Sequence, residues 1–382
     1  MRKDLSLYIH IPFCESKCKY CSFVSRVGTD AEKREYVASL LKEIELQAKK
    51  YNPFFAVYSI YIGGGTPSCL DDGEILKILQ HCYKHFTVKN EAEITIELNP
   101  NSVTDNKIRE YILAGVNRFS IGLQCTNGKV LRLMGRAHTV GDFDAVVARV
   151  RSRGITNISA DVMIGYPGQT MNDVKDTVNH LIKLNIPHIS SYMLSVEENT
   201  PLETMVNKQL AYLPSEKTVI NMYTMANKML AGHGYTRYEI SNFAKTGYES
   251  RHNTIYWNGG AYLGLGVAAH SYIDGVRFSN TENIAEYNSC IEIRKKVPTA
   301  SVQELTKEEI KDEFVMLSLR TEKGIDTNLY EEKFGEDFLA KNADKLKEFI
   351  KMGLITLTKN NFIKCTTSGF LVLNKLVLEL TE

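Results

Sequence analysis

Over the first 240 residues, short runs rich in β-branched and aromatic residues alternate with stretches of helical period. The runs predict strands at 5–11, 57–62, 93–98, 118–124, 157–164, 188–196 and 235–240. Between them, Val37, Leu40, Leu41, Ile44 and Ala48 fall on one face of a helix over 31–50. Ile75, Ile78, Leu79 and Cys82 do the same over 72–85. Thr104 with Asp105, and Thr170 with Asp173, fit helix starts; Gly115 and Gly154 fit helix ends. Repeated strand–helix alternation predicts an α/β protein with a parallel sheet and helices outside. Right-handed crossovers leave an open doubly wound sheet or a full or partial barrel. The strand ends favour the barrel. Gly63-Gly64-Gly65-Thr66-Pro67, Glu97-Leu98-Asn99-Pro100, Gln124 and Asp161 all follow apolar runs, and a barrel gathers such ends at one mouth.

The pattern changes near residue 245. Residues 247–280 are rich in Gly, Tyr and Asn without helical period. Residues 282–382 turn helical, with a short-strand pair at 354–358 and 362–365 before a last helix, an arrangement like a winged helix. The expected organisation is a core domain over 1–240, a connecting segment over 241–300 and a C-terminal domain over 301–382.

Composition narrows the class. The 382 residues are 43% hydrophobic and 24% charged, which excludes disordered and collagen-like chains. Lys plus Arg number 46 against 45 Asp plus Glu, so no bulk field draws the chain to nucleic acid or anionic lipid. No apolar run nears the ~20 residues of a membrane span. Residues 1–7 lack the apolar core and cleavage site of a secretory leader. The expectation is a soluble cytoplasmic protein with neither nucleic acid nor an integral membrane span.

Eight cysteines occur, and three of them, Cys14, Cys18 and Cys21, fall within eight residues. A structural zinc site wants four closed ligands, usually as two pairs. No second pair exists, and the next cysteine is Cys69. Three thiolates on one loop suit three irons of a 4Fe–4S cluster, with the fourth iron open.

This C-x3-C-x2-C spacing, with Tyr20 before the last cysteine, resembles the radical S-adenosylmethionine (SAM) superfamily. The resemblance implies a partial (β/α)6 TIM-type barrel and a cluster on the three cysteines. It also implies SAM chelated to the fourth iron, where reduction cleaves it to a 5′-deoxyadenosyl radical. Gly63-Gly64-Gly65-Thr66-Pro67 looks like the superfamily's glycine-rich element, with Gly64, Gly65 and Thr66 against the SAM methionine moiety. By itself a glycine triplet also fits a plain turn.

Residues 7–14, Leu-Tyr-Ile-His-Ile-Pro-Phe-Cys, are similar to the oxygen-independent coproporphyrinogen III oxidases and their relatives. So are Glu97 in Glu-Leu-Asn-Pro, Gln124 in Ser-Ile-Gly-Leu-Gln, Arg136 in Leu-Met-Gly-Arg-Ala-His and Asp161 in Asp-Val-Met-Ile-Gly. This resemblance implies that Tyr8 and Tyr20 line the SAM site and that Arg136 pairs the SAM carboxylate. Glu97, Gln124 and Asp161 would hydrogen-bond its ribose or amino groups. Tyr8 and Tyr20 also suit plain core aromatics, and Arg136 a surface charge. The likeness continues through Met316-Leu317-Ser318-Leu319-Arg320 and Thr367-Ser368-Gly369-Phe370, and so covers nearly the whole chain.

Within that family the oxidases carry a fourth cysteine two residues after the triplet, where this chain has Phe23. They also carry a long N-terminal extension, whereas the first strand here begins by Leu5. His252-Asn253-Thr254-Ile255-Tyr256-Trp257 resembles the H-N-x-x-Y-W motif of the haem-chaperone branch and holds the only tryptophan. Imidazole is a common haem ligand, so His252 is the candidate haem-binding residue and His270 the second choice. The implied function is to bind haem and pass it to acceptor haemoproteins, with an electron donor for the cluster and no catalytic residue assigned. The alternatives are a SAM-dependent coproporphyrinogen III oxidase, or a radical enzyme on another tetrapyrrole that, for instance, opens the haem ring.

Overall fold

The computed structural model describes residues 2–381. Six parallel strands form its centre: β1 (Lys3–Ile11), β2 (Phe55–Gly64), β3 (Val88–Leu98), β4 (Arg118–Gln124), β5 (Ile158–Ile164) and β6 (His188–Met193). Helices α1 (Asp30–Tyr51), α2 (Glu74–His85), α3 (Asp105–Leu113), α4 (Gly128–Met134), α5 (Val140–Arg151) and α6 (Met171–Lys183) make the crossovers. Their starts are set locally. Thr29 with Glu32, Thr139 with Asp142 and Thr170 with Asp173 form capping boxes, and Thr104 caps α3. Gly115 and Gly154 follow helix ends at positive φ.

The barrel is partial. After α7 (Pro201–Asn207) and α8 (Glu216–Ala231), the chain forms β7 (Thr236–Arg237) and β8 (Asn242–Ala244), and β8 pairs antiparallel with β6. On the other side β9 (Tyr262–Leu265) pairs parallel with β1. β10 (His270–Ile273), β11 (Val276–Asn280) and β12 (Thr299–Glu304) continue that edge, so β1 and β6 never meet in the twelve-stranded sheet. The predicted strand at 235–240 is thus corrected: only Thr236–Arg237 is strand, antiparallel and at the edge. A hydrophobic run shows that a segment is buried, not which partner it finds.

A second correction concerns 247–280, where no helix was expected. α9 (Arg251–Trp257) lies there, capped by Ser250, which accepts from the Asn253 amide. Seven residues make barely two turns, too few to display a period. Beyond α10 (Ile284–Glu292) and α11 (Lys307–Leu319) comes α12 (Thr327–Phe334). A three-stranded sheet there joins β13 (Ile325–Asp326), β14 (Ile355–Leu357) and β15 (Phe362–Cys365) in the order β13-β15-β14. It includes the expected hairpin. One apolar core packs the outward faces of the parallel strands against their helices, and a separate one runs from Val315 to Leu380. No helix among the described residues is long and apolar enough to cross a membrane.

Candidate functional site

The three clustered cysteines lie on the loop between β1 and α1, over the carboxyl ends of the strands. All three line one cavity of about 440 Å³ at the barrel mouth. The loop is held at both ends. Cys14 N–H donates to Arg26 O (3.0 Å), and Lys19 N–H donates to Met134 O (3.0 Å) at the end of α4. The other cysteines are a different population: Cys69, Cys82, Cys125, Cys290 and Cys365 are buried. Burial pushes the Cys69, Cys82 and Cys365 thiols up to about 12, so they are protonated and inert. Cys14, Cys18 and Cys21 are partly exposed and face open space.

Gly64 ends β2 beneath this loop and Gly65 follows it. Gly65 N–H donates to Ile11 O (2.8 Å) and Thr66 N–H to Phe13 O (2.7 Å), while the Thr66 hydroxyl donates to Cys14 Sγ (3.5 Å). A Cβ on Gly65 would stand 2.5 Å from Phe13 O. Gly64 has φ +103°, and a Cβ there would meet the His10 ring at 2.5 Å. The glycines are therefore required by the chain that leads into the cysteines, which packs directly on this turn.

The other predicted residues converge on the same cavity. Glu97, Gln124, Arg136, Asp161 and Tyr20 all line it. Arg136 is fixed by four partners: it donates to Gly122 O (2.8 Å), Asn99 Oδ1 (3.3 Å), His138 Nδ1 (3.2 Å) and Cys18 Sγ (3.7 Å). Gln124 sits at φ +66°, and its buried Oε1 has no hydrogen-bond partner. An orphaned acceptor on a cavity-lining residue fits a ligand bearing a hydroxyl or ammonium donor. Tyr8 is the exception. It does not line the cavity but lies deeper, stacked on Tyr61 at 6.3 Å, with its hydroxyl 3.1 Å from His10 Nδ1.

The donor set also bears on the cluster. Among the described residues, no three His, Cys, Asp or Glu side chains converge as a single metal ion requires. A cubane asks for one thiolate per iron instead, and three exposed thiols spread around one cavity suit that geometry. No other cysteine lines it.

Glu97 accepts from the Tyr61 hydroxyl (2.7 Å) and Gly64 N–H (3.3 Å). Burial pushes its carboxyl up to about 7, against the stabilising Tyr61 bond. Between about pH 4.5 and 7 the folded protein therefore holds a proton that the unfolded chain has released, and stability falls as pH rises through that window. A shift of this size corresponds to about 3 kcal/mol, less some screening through the cavity. Urea unfolding from pH 5 to 8 should show the decline, and Glu97→Gln should make it shallower, leaving the part due to buried Glu239, which burial also pushes up to about 7.

Comparison with known proteins accords with this geometry. Residues 8–181 match the Radical SAM superfamily, and residues 305–372 match the HemN C-terminal domain. A heme chaperone HemW of Lactococcus lactis is 32% identical over 371 residues, 97% of this chain and 95% of that protein. A heme chaperone HemW of Bacillus subtilis is 35% identical over 352 residues, 92% of each. The chain belongs to the HemW family. Its fold also matches a solved structure of Escherichia coli coproporphyrinogen III oxidase (HemN), a radical SAM enzyme. The TM-score is 0.86, covering 100% of this chain and 90% of that one, at 23% identity.

The stretch that resembles the HemW motif does not line the mouth cavity. His252 is 1% exposed and lies inside the barrel. Its Nδ1 is 2.9 Å from Ser59 Oγ and its Nε2 is 2.8 Å from the Tyr256 hydroxyl. Ser59 precedes Gly64 by five residues, about 16 Å of strand. The Glu93 carboxylate fixes the start of α9, accepting from Ser250 Oγ, Arg251 N–H (3.2 Å) and His252 N–H (3.1 Å). Burial, with Arg118 nearby, lowers His252 to about 3, so the imidazole is neutral.

Sequence reasoning missed the partner of this arrangement. His188 sits between Ser159 Oγ (2.7 Å) and the Tyr238 hydroxyl (2.8 Å), a second Ser–His–Tyr set in the same interior. Arg118 is 2% exposed, and its charge lowers both histidines after burial itself. The available signal was alternation. Ser6 and Tyr8, Ser59 and Tyr61, Thr95 and Glu97, and Arg118 and Ser120 are polar at every second strand position. His270 is exposed on β10.

Proposed function

We propose that this chain is a cytoplasmic haem carrier on a radical SAM scaffold. It would hold a 4Fe–4S cluster through Cys14, Cys18 and Cys21, bind SAM at the same mouth, take electrons from an external donor and pass haem to acceptor haemoproteins. The observation that carries the cofactor half is the meeting of three partly exposed thiols, the Gly64–Gly65 turn and Gln124 with its orphaned acceptor around one cavity. Membership of the HemW family along 97% of the chain supports the haem half. Cluster and SAM together supply one-electron chemistry. The chain's own part is to hold ligands: Arg136 offers a fixed guanidinium to a carboxylate, and Glu97 and Asp161 offer acceptors.

Arg136→Ala should weaken SAM binding by ~1.5–3 kcal/mol, because a charge-assisted pair is lost. Equilibrium dialysis against the reconstituted protein measures this, and unchanged affinity would remove Arg136 from the site. Phe23 lies at the mouth, 64% exposed, where the oxidases carry a further cysteine. Accordingly, the reduced protein with SAM should form no protoporphyrinogen IX from coproporphyrinogen III. Anaerobic chromatography checks that, and sustained SAM-dependent product would make the chain an oxidase.

His252 is the nitrogen donor this reading offers to haem iron. Its use requires the ring to leave Ser59 and Tyr256, so α9 must open from the barrel. Haem titration of His252→Ala beside the parent protein tests this. An unchanged Soret band and affinity would remove His252 as the ligand.

A further inference from the structure

A second cavity, about 450 Å³, lies between the C-terminal end of α9, β10 and helices α11 and α12. Trp257, Tyr272, Phe314 and Phe334 line it, together with Leu317 and Ile310. That size falls within the ~300–1,000 Å³ of small-molecule sites, and aromatic walls are their usual lining. We infer that this cavity is a slot for a planar tetrapyrrole bearing carboxylates, held by aromatic faces and by Lys323 and Lys333. The inference rests on the haem-carrier reading and adds a place to it.

Two charged observations select this occupant. Lys323 and Lys333 line the cavity, are exposed, and form no ion pair among the described residues; each lies only over a ring, Phe362 at 5.5 Å and Phe314 at 5.4 Å. The two carboxylates of the lining are already engaged. Glu313 pairs with Arg277 (2.7 Å), and Asp326 caps α12 by accepting from Leu329 N–H (3.2 Å). An apolar chamber with two uncommitted ammonium groups complements a flat apolar ring with two carboxylates.

The lining contains no histidine, cysteine or methionine. While α9 stays closed on the barrel and His252 stays on Ser59 and Tyr256, a tetrapyrrole there is gripped by its ring and acid groups and not by iron ligation. That suits a carrier, because an acceptor offering a histidine takes the iron without competition. It also divides the labour along α9: His252 anchors the helix to the barrel, and Trp257 presents its indole to the slot.

The test uses the full chain, titrated anaerobically with haemin, metal-free protoporphyrin IX and the protoporphyrin dimethyl ester. Soret absorbance and the emission of Trp257, the only tryptophan, are followed together. In the His252→Ala protein, which lacks the candidate nitrogen donor, haemin and metal-free porphyrin should bind within about threefold of each other, since nothing lining the slot ligates iron. The ester, and haemin on the exposed-site double variant Lys323→Glu/Lys333→Glu, should each bind at least about tenfold more weakly. If haemin binds the His252→Ala protein but the metal-free ring does not, or the double variant and ester are unaffected, the slot is wrong while the carrier reading stands. If haemin does not bind the parent protein at all, both readings fail.

Discussion

Replacing Cys14, Cys18 or Cys21 with alanine, one at a time, should reduce iron after anaerobic reconstitution from about four per chain to below one. The broad visible absorption should vanish with it. On this reading each thiolate would hold a different iron, and the other cysteines are in no position to substitute. Cys82 and Cys125 are wholly buried, and Cys69, Cys290 and Cys365 nearly so. Alanine at any of these five should leave iron content unchanged. Full iron in any of the three loop variants would overturn the assignment.

The second large effect is structural. Glu43 on α1 is fully buried and accepts from Gly266 N–H (2.6 Å), Asn280 Nδ2 (2.7 Å) and the Tyr287 hydroxyl (2.6 Å). It fastens β9, β11 and α10 to the helix behind the cysteine loop. Beside it, the Tyr36 hydroxyl donates to His10 O (2.7 Å). Burial raises the Glu43 carboxyl above its usual range. Glu43→Ala strands three buried donors at once and should cost about 3–5 kcal/mol of stability. Glu43→Gln keeps an acceptor and should cost distinctly less. Denaturant melts of both variants decide it; equal losses would show that keeping a side-chain acceptor of the same volume does not rescue the three donors, and that their hydrogen bonds do not set the effect.

Much of the scaffold was legible in the chain. Apolar residues at helical spacing marked α1 and α2, and Thr170 with Asp173 marked the start of α6, because these signals act within one element. The cysteine triplet and the strand-end residues were legible for a related reason: a parallel sheet with right-handed crossovers sends every strand's carboxyl end to the same side. Pattern therefore sufficed to gather Gly64, Glu97, Gln124 and Asp161.

What the sequence did not contain was the pairing of distant segments. The buried state of Glu43 depends on residues more than 220 positions away. The engagement of His252 Nδ1 depends on Ser59, 193 positions away. That Tyr8 stacks on Tyr61 and does not line the cavity was likewise not legible in the chain. Local periodicity reports which face of an element is buried. Tertiary packing alone decides which polar groups meet there, because each buried donor or acceptor must find its partner wherever the fold brings one within reach.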